Sequence, residues 1–135
     1  MRAAAAAIAV AAVLLAGCGT ESPDLFVVER SGSDREANLT LVVNDGGSVT
    51  CNGKQHSLDA DRLLRARELS RELSKQAELG VELPPGPDAN LSYRVRMEAG
   101  TVAFSDTSRG NPSSFFQLAA FTKDVAERVC GILRE

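Results

Sequence analysis

The chain predicts an α+β fold: an antiparallel sheet built from two hairpins plus an N-terminal strand, with two amphipathic helices packed on one face. Three observations lead there. Apolar and polar residues alternate on both sides of an Asn44-Asp45-Gly46-Gly47 turn signal. The same alternation flanks Ala99-Gly100. Two longer stretches, opening near Asp59 and near Asn111, carry apolar residues at helical spacing instead.

Leu25-Phe26-Val27-Val28 is a short apolar, β-prone run closed by Glu29-Arg30-Ser31-Gly32, and it reads as the first strand. Residues 31–37 are polar and read as a loop. Leu39, Leu41 and Val43 then alternate with Asn38, Thr40 and Asn44, the period-two signature of a half-buried strand. Asn44-Asp45-Gly46-Gly47 supplies the positive-φ residues a tight hairpin needs. The return through Ser48, Val49, Thr50 and Cys51 puts Val49 and Cys51 on one face, so Cys51 is expected to point into the core.

Asn52-Gly53-Lys54 turns the chain again, with His56 in a polar turn, and Asp59 caps a helix predicted to run to Leu79. Leu63, Ala66, Leu69, Leu73 and Ala77 share one stripe of it, with charged residues elsewhere. Gly80 suits its C-terminal cap. In Leu83-Pro84-Pro85-Gly86-Pro87 the prolines fix φ and lack donors, which excludes a central strand. The segment reads either as a stiff recognition loop or as a plain connector. Leu91, Tyr93, Val95 and Met97 build the next strand, with Arg94 and Arg96 on its wetter side, and Val102 and Phe104 continue the apolar face after the turn. Asn111 as N-cap and Pro112 at the first helical position open the last helix. Its predicted buried stripe is Phe115, Leu118, Val125, Ala126, Val129, Ile132 and Leu133, with Phe121 and Cys130 at the margins.

Ahead of this domain stands a leader. Arg2 precedes an uninterrupted run of Ala, Ile, Val and Leu over residues 3–15. That is short for a bilayer span of ~20 residues and suits the apolar region of an export signal. The run ends in Leu15-Ala16-Gly17-Cys18, which resembles the lipobox of bacterial lipoproteins. The resemblance implies cleavage between Gly17 and Cys18 and a thioether-linked diacylglycerol on Cys18, so the membrane becomes a partner through that lipid. Two acyl chains, at ~0.8 kcal/mol per buried methylene, hold a protein to a membrane without any spanning helix. The expected organisation is a signal peptide over residues 1–17, a lipidated tether over 18–24, and one domain over 25–135, displayed on the outer face of the cell membrane.

Composition narrows the function. Without Arg2 the chain has 14 Lys and Arg against 18 Asp and Glu, a net charge of −4. Mild acidity argues against nucleic acid, which needs clustered positive charge. There is no Trp and one Tyr, so few aromatic platforms are available. With Cys18 assigned to lipid, Cys51 and Cys130 remain as an expected disulfide, the commonest fate of a thiol pair outside the cytoplasm. Two buried free thiols and a metal site are the rival readings. No metal is expected, because two lone cysteines with His56 nearby lack the spaced quartet that zinc prefers. No nucleophile elbow, phosphate loop, HExxH pair or calcium loop occurs, and the chain reads as a non-enzyme without cofactors.

Phe26, Arg30 and Gly32, the Asp45-Gly46-Gly47 turn, Leu83-Pro84, Tyr93-Arg94-Val95 with Glu98 and Gly100, then Asp106 and a final amphipathic helix follow one another in an order that resembles emfourin. The likeness spans residues 25–133 and implies inhibition of thermolysin-like metallopeptidases. The lipobox and the cysteine pair depart from the small soluble inhibitors of that family, and no inhibitory residue is carried over. The whole sequence is also similar to small lipoproteins of high-GC Gram-positive bacteria. Three function classes follow. A surface-tethered module binding another extracytoplasmic protein leads, with Pro84, Pro85, Pro87, Asp45 and Gly46 as candidate contacts and a metallopeptidase as the sharpest partner. An apolar-ligand carrier would need a cavity lined by Tyr93, Phe104, Phe115 and Leu118. An enzyme would need a cleft gathering Asp106, His56 or Arg94.

Overall fold

The computed structural model describes residues 21–134. Gly17, Cys18 and the apolar leader lie outside the described residues. Six strands form one antiparallel sheet: β1 (Asp24–Gly32), β2 (Leu39–Asn44), β3 (Ser48–Cys51), β4 (Lys54–Ser57), β5 (Leu91–Met97) and β6 (Gly100–Ser105), in the spatial order β4-β3-β2-β1-β5-β6. The helices are α1 (Ala60–Glu78) and α2 (Ser113–Arg128). Among the described residues no helix is long and apolar enough to cross a membrane.

β1 is central, paired with β2 on one edge and β5 on the other. It runs past Val28 to Gly32, so Glu29-Arg30-Ser31-Gly32 does not close the strand as the sequence suggested. Those four residues lack apolar alternation, yet each has a strand partner on β5. The 31–37 segment likewise holds a short 3-10 turn, Arg35–Ala37. Arg30 explains that turn: its buried guanidinium donates from Nε to the Ala37 carbonyl (2.8 Å) and from Nη2 to the Glu36 carbonyl (3.1 Å).

One face of the sheet is apolar. Phe26, Val28, Leu41, Val43, Val49, Val95, Val102 and Phe104 are buried there, because register partners on antiparallel strands point the same way. The other face carries Glu29, Thr40, Arg94 and Arg96, all exposed. Both helices cover the apolar face. α1 crosses it near the end where β1 begins: Arg67 meets Asp45 in the β2–β3 turn, and Ala77 abuts Gly100. α2 packs beside it, with Phe115 stacked on Phe104 (ring centroids 4.5 Å apart) and Phe121 edge-on to Phe26 (6.0 Å). Cys130, in the turn after α2, is bonded to Cys51 of β3 across a Cα–Cα distance of 6.2 Å. The bridge joins residues 79 apart in sequence, which in the chain-entropy model stabilises the fold by up to ~4.5 kcal/mol.

Of the expected α1 stripe, Ala66, Leu69, Leu73 and Ala77 are buried and Leu63 is half-buried, and Asp59 accepts from the Arg62 backbone N–H. α2 differs in three ways. Its N-cap is Pro112, not Asn111, because the Asn111 side chain is used to donate to the Ser105 carbonyl (2.9 Å). Phe121 is buried rather than marginal. The helix stops at Arg128, so Val129 is its half-buried C-cap, Ile132 and Leu133 lie beyond it, and Leu133 is exposed. Missed entirely was β4, which pairs with β3 and carries His56 opposite Val49; His56 therefore sits on an edge strand, not in a turn. The strand is polar throughout, so alternation had no apolar residue to mark.

Gly100 tests the seating of α1. Its φ is +145°, and a Cβ there would lie 2.1 Å from the Ala77 carbonyl oxygen. Gly100→Ala is expected to destabilise the fold by about 2–4 kcal/mol through backbone strain and overpacking. The measurement is the urea midpoint at constant m-value, and an unmoved midpoint would contradict this contact.

Candidate functional site

The proline loop leaves α1 through Gly80 (φ +61°) and is then tied along the outer edge of β6. Ala103 donates its N–H to the Val81 carbonyl (3.0 Å), and Leu83 donates to the Ala103 carbonyl (2.8 Å). This parallel contact is an edge pairing, compatible with the prolines because they begin only after Leu83. Further along, Ser108 Oγ donates to the Pro84 carbonyl (2.8 Å), and Ser108 Oγ lies 3.0 Å from Ser105 Oγ, with Ser105 and Ser108 both buried. Gly86 lies so close to the next loop that a Cβ would meet the Thr107 carbonyl oxygen at 1.8 Å. Asp106 accepts the Asn90 N–H where the loop rejoins β5 (3.2 Å). Pro84, Pro85 and Pro87 are nevertheless exposed. The backbone is fastened and the rings face outward.

Between this loop and the outer face of the sheet lies a groove of about 390 Å³. Leu83 and Pro85 form one wall; Ser31, Ser92 and Ala103 are among the small residues that line it. At its rim Arg94 pairs with Glu82 (3.5 Å) and Arg96 with Glu29 (3.1 Å), while Arg30, also in the lining, bonds the Ala37 and Glu36 carbonyls. No sequence pattern announces the groove, since it needs small residues on three strands and a loop from elsewhere in the chain.

Asp45 and Gly46 are not brought to that loop. β2 ends at Asn44 opposite Asp24, so the 44–47 turn sits where β1 begins, whereas the prolines lie beyond Ser105, at the opposite end of the strands. Asp45 is occupied, accepting from Arg67 Nε (2.6 Å). Gly46 donates its N–H to Asn44 Oδ1 (2.8 Å). The same turn holds the chain just before β1: Asn44 Nδ2 donates to the Ser22 carbonyl (2.7 Å), and Asp45 N–H to the Pro23 carbonyl (2.9 Å). Part of the stretch expected as tether is thus fastened to the sheet.

No family model matches the chain, and neither a curated protein nor a solved structure does. The remaining candidates are therefore weighed on geometry. Tyr93, Phe104 and Phe115 stack in sequence, 5.0 and 4.5 Å between centroids, and Leu118 is fully buried. The four side chains offered as a ligand cavity fill the space between sheet and helices instead. The three residues offered as a catalytic cleft are spread apart: His56 on the β4 edge, Asp106 just after β6 at the other edge, and Arg94 on the outer face. Cys51, Cys130 and His56, by contrast, do converge, with one ligand atom from each within 4.8 Å of the others. From the sequence this trio is set aside for want of a spaced quartet; the pairing of β4 with β3 is what helps bring His56 to the two sulfurs.

Ion pairs close the periphery. Arg62 bridges Asp59 (2.8 Å) and Asp124 of α2 (2.7 Å), tying the two helices, and these bonds hold its guanidinium above the usual range. Burial pushes the Tyr93 phenol up and the Arg30 guanidinium down. Arg134 bonds Asp34 (2.6 Å), which pins the C-terminal segment to the 3-10 turn and depresses the Asp34 carboxyl below its ordinary value. A carboxyl depressed by folding stabilises the fold above its unfolded pKa of ~3.9, and that contribution disappears as pH falls through the folded value. Asp34→Asn is accordingly expected to flatten part of the acid-side fall in stability below about pH 4, while Asp59, depressed by its bond to Arg62, sustains the rest. Urea unfolding across that pH range reads the difference; identical slopes for variant and parent would rule it out.

Proposed function

We propose that this protein is a membrane-anchored extracytoplasmic lipoprotein, held by a diacylglycerol on Cys18, that works by binding another extracytoplasmic protein through its proline loop. One observation carries the reading: Pro84, Pro85 and Pro87 are exposed on a backbone fastened to β6 and to Ser108, at the end of the sheet away from Ser22 and Pro23. A loop already ordered before contact loses little conformational entropy on binding. A tether entering at Pro23 would leave that end facing away from the lipid. The adjoining groove offers apolar walls and paired charges at its rim, a mixed surface of the kind that transient partners use.

The sharpest form of this reading, drawn from the resemblance to emfourin, is inhibition of a thermolysin-like metallopeptidase. Asp45 and Gly46 drop out as co-contacts of the proline loop, since one surface cannot readily engage both ends of the sheet.

Two measurements test it. Against a thermolysin-like enzyme, micromolar protein is expected to inhibit, and replacing Pro84, Pro85 and Pro87 together by Gly is expected to weaken inhibition by about tenfold or more by restoring loop entropy. Asp45→Asn should leave it unchanged. No inhibition at that concentration removes the metallopeptidase. Separately, mass spectrometry of the processed protein is expected to find a diacylglycerol adduct on an N-terminal Cys18, absent in Cys18→Ala; an unmodified thiol there would remove the anchor.

A further inference from the structure

The bond between Cys51 and Cys130 has His56 as a third neighbour in the fold. The two sulfurs and one ring nitrogen of His56 all lie within 4.8 Å of one another. They come from three separate places: Cys51 ends β3, His56 lies on the edge strand β4, and Cys130 follows α2. Cys51 is buried, while His56 and Cys130 are half-buried. Solvent therefore reaches one side of the group and protein encloses the other.

We propose that, once the disulfide is reduced, Cys51, Cys130 and His56 bind a single zinc ion, so that this corner of the fold is closed by a sulfur–sulfur bond in one redox state and by a metal in the other. The donor set is two thiolates and an imidazole, which favours zinc over hard cations such as Mg²⁺ and Ca²⁺. Zn–S bonds of about 2.3 Å at a tetrahedral angle put two sulfurs about 3.8 Å apart. The 6.2 Å between the two Cα atoms accommodates that separation by side-chain rotation. The fourth position is open on the half-exposed side, where a water completes the tetrahedron.

The redox step balances with a dithiol reductant. Its thiolate attacks the half-exposed Cys130 sulfur, and the Cys51 sulfur leaves with the bonding pair. The second thiol of the reductant then displaces Cys130 and closes the reductant's own disulfide, so two electrons and two protons pass to the protein. Zinc replaces the two thiol protons, which go to solvent. The ion then closes the same loop of residues 79 apart that the disulfide closed, and through His56 it also ties down β4. This inference is independent of the lipid anchor and of the protein-binding reading.

The test uses the purified protein, reduced with dithiothreitol, freed of reductant without oxygen, and titrated with Co²⁺ and then Zn²⁺, with circular dichroism alongside. One equivalent of Co²⁺ is expected to give thiolate-to-cobalt absorption that Zn²⁺ abolishes, and the oxidised protein none. His56→Ala is expected to weaken binding by more than about tenfold, since losing even an outer partner of a metal ligand weakens binding 10- to 100-fold. Should reduction unfold the chain, metal is expected to restore the folded spectrum. The proposal is overturned if reduced protein gives no such absorption, folded or not, or if His56→Ala binds as tightly as the parent.

Discussion

β1 is hydrogen-bonded along both edges, and the rest of the architecture depends on that pairing. On one side it carries β2, β3 and β4, which follow one another through tight turns. On the other it carries β5 and β6, which the chain reaches only after a nineteen-residue helix and a proline-rich loop. Neither group has a wide enough apolar face to seat both helices. Joined through Phe26 and Val28, they make one continuous floor.

A floor that is apolar on one side only decides where everything else goes. Both helices must lie on the same face, and they lie side by side, joined by Arg62 reaching across to Asp124. The far face is left to solvent, so its charges pair across neighbouring strands, as Glu29 does with Arg96. Such exposed pairs contribute little stability. They border the groove under the proline loop.

The two ends of the sheet differ in chemistry. Where β1 begins, the 44–47 turn, Arg67 and the chain before Asp24 engage one another. At the opposite end, loops are fastened through their backbones and buried serines while their side chains face outward. That asymmetry is the basis for assigning the proline-loop end, and not the 44–47 end, to the proposed contact. The turn signal around Asp45 was a sound guide to structure, and its polar groups are bonded within the fold.

Local patterns carried most of the fold. The alternation around Asn44-Asp45-Gly46-Gly47 and around Ala99-Gly100, the Asp59 cap, the Gly80 stop and the stripe from Ala66 to Ala77 are all short-range signals, and the chain obeys them because each reports a period or a dihedral that needs no distant partner. The pairing of Cys51 with Cys130 also followed from composition, since few thiols leave few choices. Tertiary structure alone decided the remainder. Polar β4 is a strand only because β3 offers it an edge, and β1 reaches Gly32 only because β5 lies beside it. Asn111 surrenders its capping role to bond Ser105. His56 meets the two sulfurs through a strand pairing and a helix end far away in sequence. Such contacts depend on which segments become neighbours after folding, and a single sequence records periodicity far better than proximity.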